Sequence, residues 1–264
     1  MYQLNINEKN AFLLHSKLKS FKNKVAKAQD IIYSALEMSK NAALSFSGGK
    51  DSVVLLDLAV KCGFEGKLEF FKYGICNDIE TPKENIVLLQ KYAKKHNLEY
   101  YILDCLGEVD CWEECGRFIL FPESEKEKKI FNKTNYDYVK QNLRFAEEYG
   151  IDMQFIGMRK KESRKREIML KKNGYIYAAK GRSALTCCPL ANFNNEDIWA
   201  YIFSNDLEYL SIYDYPYIDR RVNRNEITLL YNDWLISSGM IYHYALMYPY
   251  YFNWLKNRYP DAVW

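Results

Sequence analysis

A short glycine-containing loop carries the clearest chemical signal in this sequence. Its residues, in order, are Ser47, Gly48, Gly49, Lys50, Asp51 and Ser52. Two successive glycines let the backbone turn tightly and approach a ligand, and the N–H groups at the start of a following helix attract anions. The serines add hydroxyl donors, and the lysine could stabilise negative charge as a phosphate bond breaks. The loop therefore predicts a phosphate-binding site, in which Asp51 holds Mg²⁺ or the loop itself.

A second set of polar and charged residues lies about a hundred positions further along the chain. Its members are Gly157, Arg159, Glu162, Ser163 and Arg166. Residues 157–182 contain ten Lys or Arg and two Glu, a basic surplus that the rest of the chain lacks. Guanidinium groups can bind phosphate or sulfate oxygens in pairs. The surplus indicates either a solvated helix face or a surface that binds nucleic acid or a sulfonucleotide.

Apolar segments of strand length alternate with helical patterns and position both sets of residues. Residues 42–46 have the pattern of a strand that ends at the first loop, and residues 52–60 that of a buried helix that follows it. Further strands are predicted at residues 67–76, 99–104 and 153–157. The alternation predicts an α/β fold with a mainly parallel twisted sheet and helices on both faces. Ligands bind outside the carboxyl ends of such strands, where both sets of residues begin.

Three regions are predicted along the chain. Apolar residues at steps of four and three between Leu14 and Ala35 predict a helical arm over residues 1–40, which packs on the main domain or forms a contact between subunits of a homo-oligomer. Residues 41–210 form the nucleotide-binding domain; within it, residues 106–135 lack a clear period and indicate an exposed insertion or a lid. A helix over 195–203 is capped by Asn194. Residues 211–264 form an aromatic-rich helical appendage.

Bulk properties narrow the class of protein. The 264 residues carry a formal net charge of only +3, which does not favour a polycation that coats nucleic acid. No apolar stretch approaches the roughly 18 to 20 residues of a membrane span, and the first residues lack a signal-peptide pattern, so a cytoplasmic protein without membrane contact is expected. Seven cysteines in such a chain indicate reduced thiols rather than a disulfide framework.

The two sets of residues resemble motifs of one protein superfamily. The loop at 47–52 resembles that of the PP-loop ATP pyrophosphatases, and residues 157–166 resemble the Gly-x-Arg-x-x-Glu-Ser-x-x-Arg element of their phosphoadenosine phosphosulfate (PAPS) reductase-like branch. Residues 188–190, 195–201 and 210–214 resemble later segments of that branch. The resemblance implies an adenine nucleotide alpha hydrolase-like fold. It also implies that the loop grips ATP with Mg²⁺, that Arg159 and Arg166 bind nucleotide or acceptor, and that the reaction yields AMP and pyrophosphate.

The cysteines depart from the family pattern. True sulfonucleotide reductases use a cysteine nucleophile near the C-terminus, whereas this chain has no cysteine after Cys188. The pair Cys187 and Cys188 is similar to cysteines that hold an iron-sulfur cluster in some relatives, but the second downstream pair is missing. A cluster would need Cys111 and Cys115 to substitute. Cys187 or Cys188 could instead carry sulfur as a perthiol.

The leading hypothesis is an ATP pyrophosphatase that adenylylates an acceptor. Sulfur transfer to a nucleic acid is the use of this activation that the hypothesis includes. A sulfur-donor protein would then be a further partner. Two alternatives stay open: a reductase that acts on an adenylyl sulfate with a non-standard thiol, and a regulator that senses nucleotide and acts on DNA or protein without catalysis.

Overall fold

The computed structural model describes residues 6–74, 81–119, 122–214, 245–246 and 248–260. Much of the predicted C-terminal appendage and the end of the predicted strand at 67–76 therefore lie outside the described residues. The described chain divides into two compact units. The first contains residues from 6–70, 84–102 and 142–214, and the second contains residues from 71–83, 103–141 and 245–260. No described helix combines the length and apolar composition that a membrane crossing requires.

Six strands form one sheet with the order β3-β2-β1-β4-β6-β5. Strand β1 pairs in parallel with β2 and with β4, and β4 pairs in parallel with β6. Strand β5 pairs with β6 in antiparallel orientation. The predicted mainly parallel sheet is thereby confirmed. The strands are β1 (Ala42–Ser45), β2 (Lys67–Tyr73), β3 (Tyr100–Cys105), β4 (Met153–Phe155), β5 (Ile176–Ala178) and β6 (Leu185–Cys187).

The helices connect and cover these strands. Short 3-10 turns add residues 160–162, 189–192 and 211–214. The helices are α1 (Ile6–His15), α2 (Lys19–Met38), α3 (Lys50–Lys61), α4 (Lys83–His96), α5 (Glu108–Cys115), α6 (Glu125–Glu148), α7 (Arg164–Asn173), α8 (Asn195–Ser204) and α9 (Pro249–Arg258).

The strand order creates a topological switch point at β1. The chain adds β2 and β3 on one side of β1 and then crosses to β4 on the other side. In register, Leu44 of β1 lies opposite Leu68 and Phe155, and all three side chains are fully buried. Ligands of open α/β sheets bind in the crevice at the carboxyl ends of the strands beside such a switch point. The loops after β1 and β4 both start there.

The N-terminal arm is two helices rather than one. The helix breaks between His15, where α1 ends, and Lys19, where α2 begins. Leu14 and Leu18 lie at this break and are exposed, so they do not belong to the buried apolar face. The stripe is correct from Phe21 onward, and its later members on α2 are buried: Ala28, Ile32 and Ala35. Helix α2 packs on α3 and α1 packs on α8. The arm therefore covers its own domain, and the homo-oligomer contact stays a prediction.

No regular structure was predicted for residues 106–135, but α5 and most of the first half of α6 lie there, and the insertion or lid stays a prediction. The charged run that obscured the helical period is a solvated helix start. Glu127 N donates to Ser124 Oγ (3.1 Å), and the Glu127 carboxylate accepts from the Ser124 N–H in return (3.2 Å), which caps α6. In this second unit Trp112 of α5 packs in one apolar cluster with Leu255 of α9.

Strands β5 and β6 were not anticipated from the sequence. Each has only three residues, which is too short for an alternating pattern to show. Helix α8 matches the predicted helix at 195–203. The Asn194 side chain accepts from Asp197 N at 2.8 Å, which confirms the predicted cap.

Candidate functional site

The glycine-containing loop is a tight turn between β1 and α3. Gly48 has φ = +77°, a conformation that residues with a Cβ rarely adopt. A Cβ on Gly48 would also lie 3.1 Å from Asn85 Nδ2 and 3.4 Å from Asn85 Cα. Asn85, almost fully buried on α4, donates from Nδ2 to the Ser47 carbonyl at 2.9 Å. Helix α4 thus braces the turn through Asn85, and a residue with a Cβ at position 48 would be strained by both its φ and this contact.

Hydrogen bonds within the loop fix its shape. Ser47 Oγ accepts from Gly49 N at 3.3 Å and lies 3.4 Å from Ser52 Oγ. Ser52 Oγ donates to the Gly49 carbonyl at 2.8 Å. Ser47 is exposed and Gly49 partly exposed, so the outer surface of the turn can be reached by a ligand. The amides at the start of α3 lie next to this surface, where a phosphate group would be stabilised.

Behind the turn lies a chain of three charged side chains. Lys50 Nζ is 3.0 Å from Asp51 Oδ2, and Asp51 Oδ1 is 2.6 Å from Arg159 Nε. Lys50 and Arg159 are almost completely buried, with 2% and 0% exposure. Burial by itself would raise the pKa of the Asp51 carboxyl, but the two cations outweigh burial and hold its pKa below its ordinary value. Asp51 is therefore ionised at neutral pH and fixes Lys50 beside the loop.

The same contacts bear on magnesium. Each Asp51 carboxylate oxygen already faces a cationic side chain, so neither oxygen is placed as a ligand for Mg²⁺ in this arrangement. The described residues also contain no group of three or more His, Cys, Asp or Glu that could hold a metal ion. The Mg²⁺ at Asp51 stays a prediction that this geometry does not support, and the iron-sulfur cluster, which the missing cysteine pair already disfavours, gains no support from it.

The second set of residues lies directly against the loop. A Cβ on Gly157, just beyond β4, would lie 3.3 Å from the Asp51 carbonyl carbon and 3.4 Å from Asp51 Cβ. Glycine at this position therefore lets the loop after β4 approach the start of α3. This close approach brings together the two sets that the sequence separates by about a hundred residues.

The remaining motif residues hold the loop and helix that follow β4. Glu162 Oε2 accepts from Arg159 N at 2.8 Å and lies 2.5 Å from Arg166 Nη1. Ser163 caps α7, because its Oγ accepts from Arg166 N at 3.2 Å. The Arg166 side chain is one-third exposed, whereas Arg159 faces Asp51 in the interior. Arg166 is thus available to an anionic ligand, and Arg159 positions Asp51; ligand contacts of either arginine stay predictions.

The two adjacent cysteines are buried. Cys188 packs in an apolar cluster with Leu170 of α7, and its Sγ lies 4.0 Å from the Tyr177 hydroxyl. Burial raises the pKa of Cys188 to about 11, although Arg166 and other neighbours partly oppose this rise. Burial also raises the pKa of Cys187. Both thiols are therefore protonated at neutral pH, and a role as sulfur carrier stays a prediction.

Two residues of the site have no role in the sequence-based prediction. Asn85 gives no signal there, because it is one polar residue within an amphipathic helix. Tyr213 lies in the segment 210–214, which resembles the family but has no implied role. Its hydroxyl accepts from Lys50 N at 3.2 Å, and its ring lies 5.9 Å from Lys50 Nζ. Tyr213 is 163 residues from the loop, so only the tertiary structure reveals the contact.

The sequence matches one family model and several known proteins. The family model of the phosphoadenosine phosphosulfate reductase domain matches residues 41–219. An uncharacterised protein of Methanocaldococcus jannaschii is 29% identical over 196 residues, which cover 71% of this chain and 43% of that protein. Sulfate adenylyltransferase subunit 2 of Psychromonas ingrahamii is 28% identical over 193 residues, covering 66% of this chain and 60% of that subunit. The chain thus matches about half the length of these relatives.

Solved structures show a similar fold. Phosphoadenylyl-sulfate reductase from Candida auris, solved as a phosphate complex, superposes with a TM-score of 0.53 at 17% identity and covers 80% of this chain and 92% of that one. NMN synthetase from Francisella tularensis gives a TM-score of 0.51 at 13% identity, covering 90% and 95%. These similarities confirm the predicted adenine nucleotide alpha hydrolase-like fold.

Proposed function

Because this chain belongs to the phosphoadenosine phosphosulfate reductase domain family, we propose that it binds ATP at the loop 47–52 and transfers the adenylyl group to an acceptor. An acceptor oxygen attacks the α-phosphorus of ATP, the bond from that phosphorus to the bridging oxygen breaks, and pyrophosphate leaves with the bonding electron pair. The products are the adenylylated acceptor and pyrophosphate. An enzyme acting on nucleotides is the class that the family membership supports.

One observation carries the proposal: a buried lysine lies at the start of α3, directly behind a glycine turn at the switch point of the sheet. Lys50 is oriented by Asp51, which Arg159 holds from the other side. A fixed positive charge in a site of low polarity stabilises a leaving pyrophosphate more strongly than a mobile one in water. Catalysis would then rest on positioning and on stabilisation of charge.

The names of the relatives suggest a class of acceptor, which we include in the proposal. Several relatives at about a quarter identity are named sulfate adenylyltransferase subunit 2, which supports a small oxyanion such as sulfate as acceptor. The word subunit in that name supports a partner chain. Adenylylation of a nucleic acid for sulfur transfer, with a sulfur-donor protein, is the second candidate, and the basic surplus at 157–182 favours it. Reduction of an adenylyl sulfate is less well supported because Cys187 and Cys188 are buried.

Two measurements test the proposal. ATP binding is followed by calorimetry without any acceptor, and pyrophosphate release is followed with sulfate, with transfer RNA and with DNA. Lys50→Gln should lower pyrophosphate release by about 100-fold or more, as loss of a group that stabilises the transition state does. Lys40→Gln, which removes an exposed lysine just before β1, is the matched control and should leave the rate unchanged. Full activity of Lys50→Gln, or no ATP binding by the unmodified protein, would contradict the proposal.

A further inference from the structure

The exposed face of α7 carries positive charge that the site does not use. Arg164, Ile168 and Lys172 are spaced four residues apart and therefore lie along one face, which Lys165 and Lys171 border. All five of these side chains are exposed. The opposite side of the helix is anchored in the protein, since Leu170 is buried against Cys188. We call the five residues 164, 165, 168, 171 and 172 the α7 basic face.

Most of this charge has no acidic partner. In the described part of the chain, Arg164, Lys165 and Lys172 form no ion pair, whereas Lys171 pairs with Glu167 at 2.8 Å. Residues 157–182 hold eight more basic than acidic residues, but the whole chain has an excess of only three, so the rest of the sequence is net acidic. Residues 157–182 thus hold the largest part of the basic surplus, and residues 17–27, with five lysines and no acidic residue, form a second basic segment. A concentrated, unpaired surface charge of one sign attracts ligands of the other sign.

We infer that the α7 basic face binds the sugar-phosphate backbone of a nucleic acid. From Arg164 to Lys172 the helix rises about 12 Å, at about 1.5 Å per residue. Phosphates of one strand recur about every 3.4 Å along a duplex axis, so such a backbone can meet all of these cations together. A single sulfonucleotide concentrates its charges over a much shorter distance and cannot. The α7 basic face therefore fits a polymer of phosphates.

An anionic membrane fits the same face less well. A helix that lies on a membrane needs a broad apolar face to enter the lipid. Ile168 is the apolar member of the α7 basic face, and the neighbouring apolar residue Leu170 is buried in the domain. A nucleic acid is therefore the partner that the charge and the burial favour. The inference deepens the second candidate of the proposed function, because it names the surface that would hold a nucleic acid, and binding at that surface needs no ATP.

The test compares two triple variants with the same loss of charge. Arg164→Gln, Lys165→Gln and Lys172→Gln remove the unpaired cations of α7; Lys19→Gln, Lys22→Gln and Lys27→Gln remove three exposed lysines of α2. Fluorescence anisotropy measures binding of labelled DNA and RNA oligonucleotides over a series of salt concentrations. The α7 variant should bind about tenfold or more weakly at low salt and lose about one unit of salt slope per lost phosphate contact. The α2 variant should resemble the unmodified protein.

Other outcomes overturn the inference. Equal losses in both variants would show a general effect of net charge, and binding to phosphatidylserine vesicles without binding to oligonucleotides would indicate a membrane. Absence of oligonucleotide binding by the unmodified protein would also overturn it. Calorimetry with ATP is run on the same samples: the α7 variant should bind ATP normally, and failure of the unmodified protein to bind ATP would contradict only the proposed function. The DNA and RNA arms identify which backbone is bound.

Discussion

At the residue scale, the site depends on charges that are buried yet balanced. Lys50 and Arg159 would each be costly to bury alone, and Asp51 between them offsets that cost. Removing Asp51 would take away the carboxylate that faces both of these buried cations. The acidic residue of the loop therefore orients Lys50 and Arg159 in this structure.

Tyr213 gives the first prediction at this scale. In Tyr213→Phe, Lys50 N loses its acceptor, and the free energy of unfolding should fall by about 1 kcal/mol without nucleotide. Saturating ATP should reduce this loss, because a phosphate oxygen can accept from the same N–H. Denaturant unfolding with and without ATP measures the difference. Tyr209→Phe is the control, since its hydroxyl bonds Asp214 (2.9 Å); its loss should not depend on ATP. An ATP-independent loss in Tyr213→Phe would contradict the assignment.

The buried thiols give the second prediction. Because burial raises the pKa values of Cys187 and Cys188, iodoacetamide should leave both unmodified in the native protein at neutral pH. Cys115, which is partly exposed, should be modified earlier, and urea should expose the buried pair to reaction. Peptide mass spectrometry identifies the labelled positions. Rapid native labelling of Cys188 would instead favour its role as a sulfur carrier.

At the element scale, the site is a turn between a buried strand and a buried helix. Every residue of α3 from Ser52 to Ala59 is buried, so the start of the helix cannot shift without disturbing the core. Gly157 performs a similar task at the other loop by letting it contact Asp51. Gly48 lets the turn pack against Asn85, and Gly157 lets the loop after β4 pack against Asp51. The other residues of the motif after β4 mainly position α7.

Gly48→Ala tests the turn, with Gly63→Ala as its partner. Both glycines have positive φ, so each substitution should cost about 1 kcal/mol or more of unfolding free energy through backbone strain. A Cβ at Gly63 meets nothing within 4 Å, whereas one at Gly48 presses on Asn85. Calorimetry should therefore show weaker ATP binding only for Gly48→Ala. Equal ATP affinity of the two variants would argue against a phosphate site at this turn.

At the scale of the whole molecule, a buried carboxyl links folding to pH. Glu69 on β2 is fully buried and accepts hydrogen bonds from Ser45, Gln154 and Asn142. Burial raises its pKa despite these partners. The folded protein then holds this proton more tightly than the unfolded chain does. Glu69 therefore favours folding less as pH rises from its unfolded pKa of about 4.3 towards its higher folded value.

Glu69→Gln should remove this dependence on pH. The free energy of unfolding of the variant minus that of the unmodified protein should therefore increase from acidic to neutral pH. Denaturant unfolding over that range measures it. Glu99→Gln is a control of opposite sign, because a hydrogen bond from Lys67 lowers the pKa of Glu99 and its contribution is lost as pH falls. If both variants changed the dependence of the unfolding free energy on pH in the same direction, the burial of Glu69 would not be the cause of the change seen in Glu69→Gln.

Local patterns in the sequence determined the order of β1, β2, β3 and β4 along the chain, the mainly parallel sheet and the two loops that begin at its edge. The spacing of apolar residues and the turns that glycine permits depend on residues that are close in sequence, so the sequence alone can predict them. The capping of α8 by Asn194 belongs to the same class.

Only the tertiary structure decided which distant side chains meet. Three contacts of the site join residues that are 38 to 163 positions apart: Asp51 with Arg159, Asn85 with Ser47, and Tyr213 with Lys50. The burial of Cys187 and Cys188 likewise depends on α7 and the sheet around them. Such contacts arise from packing between elements, and no local pattern specifies them.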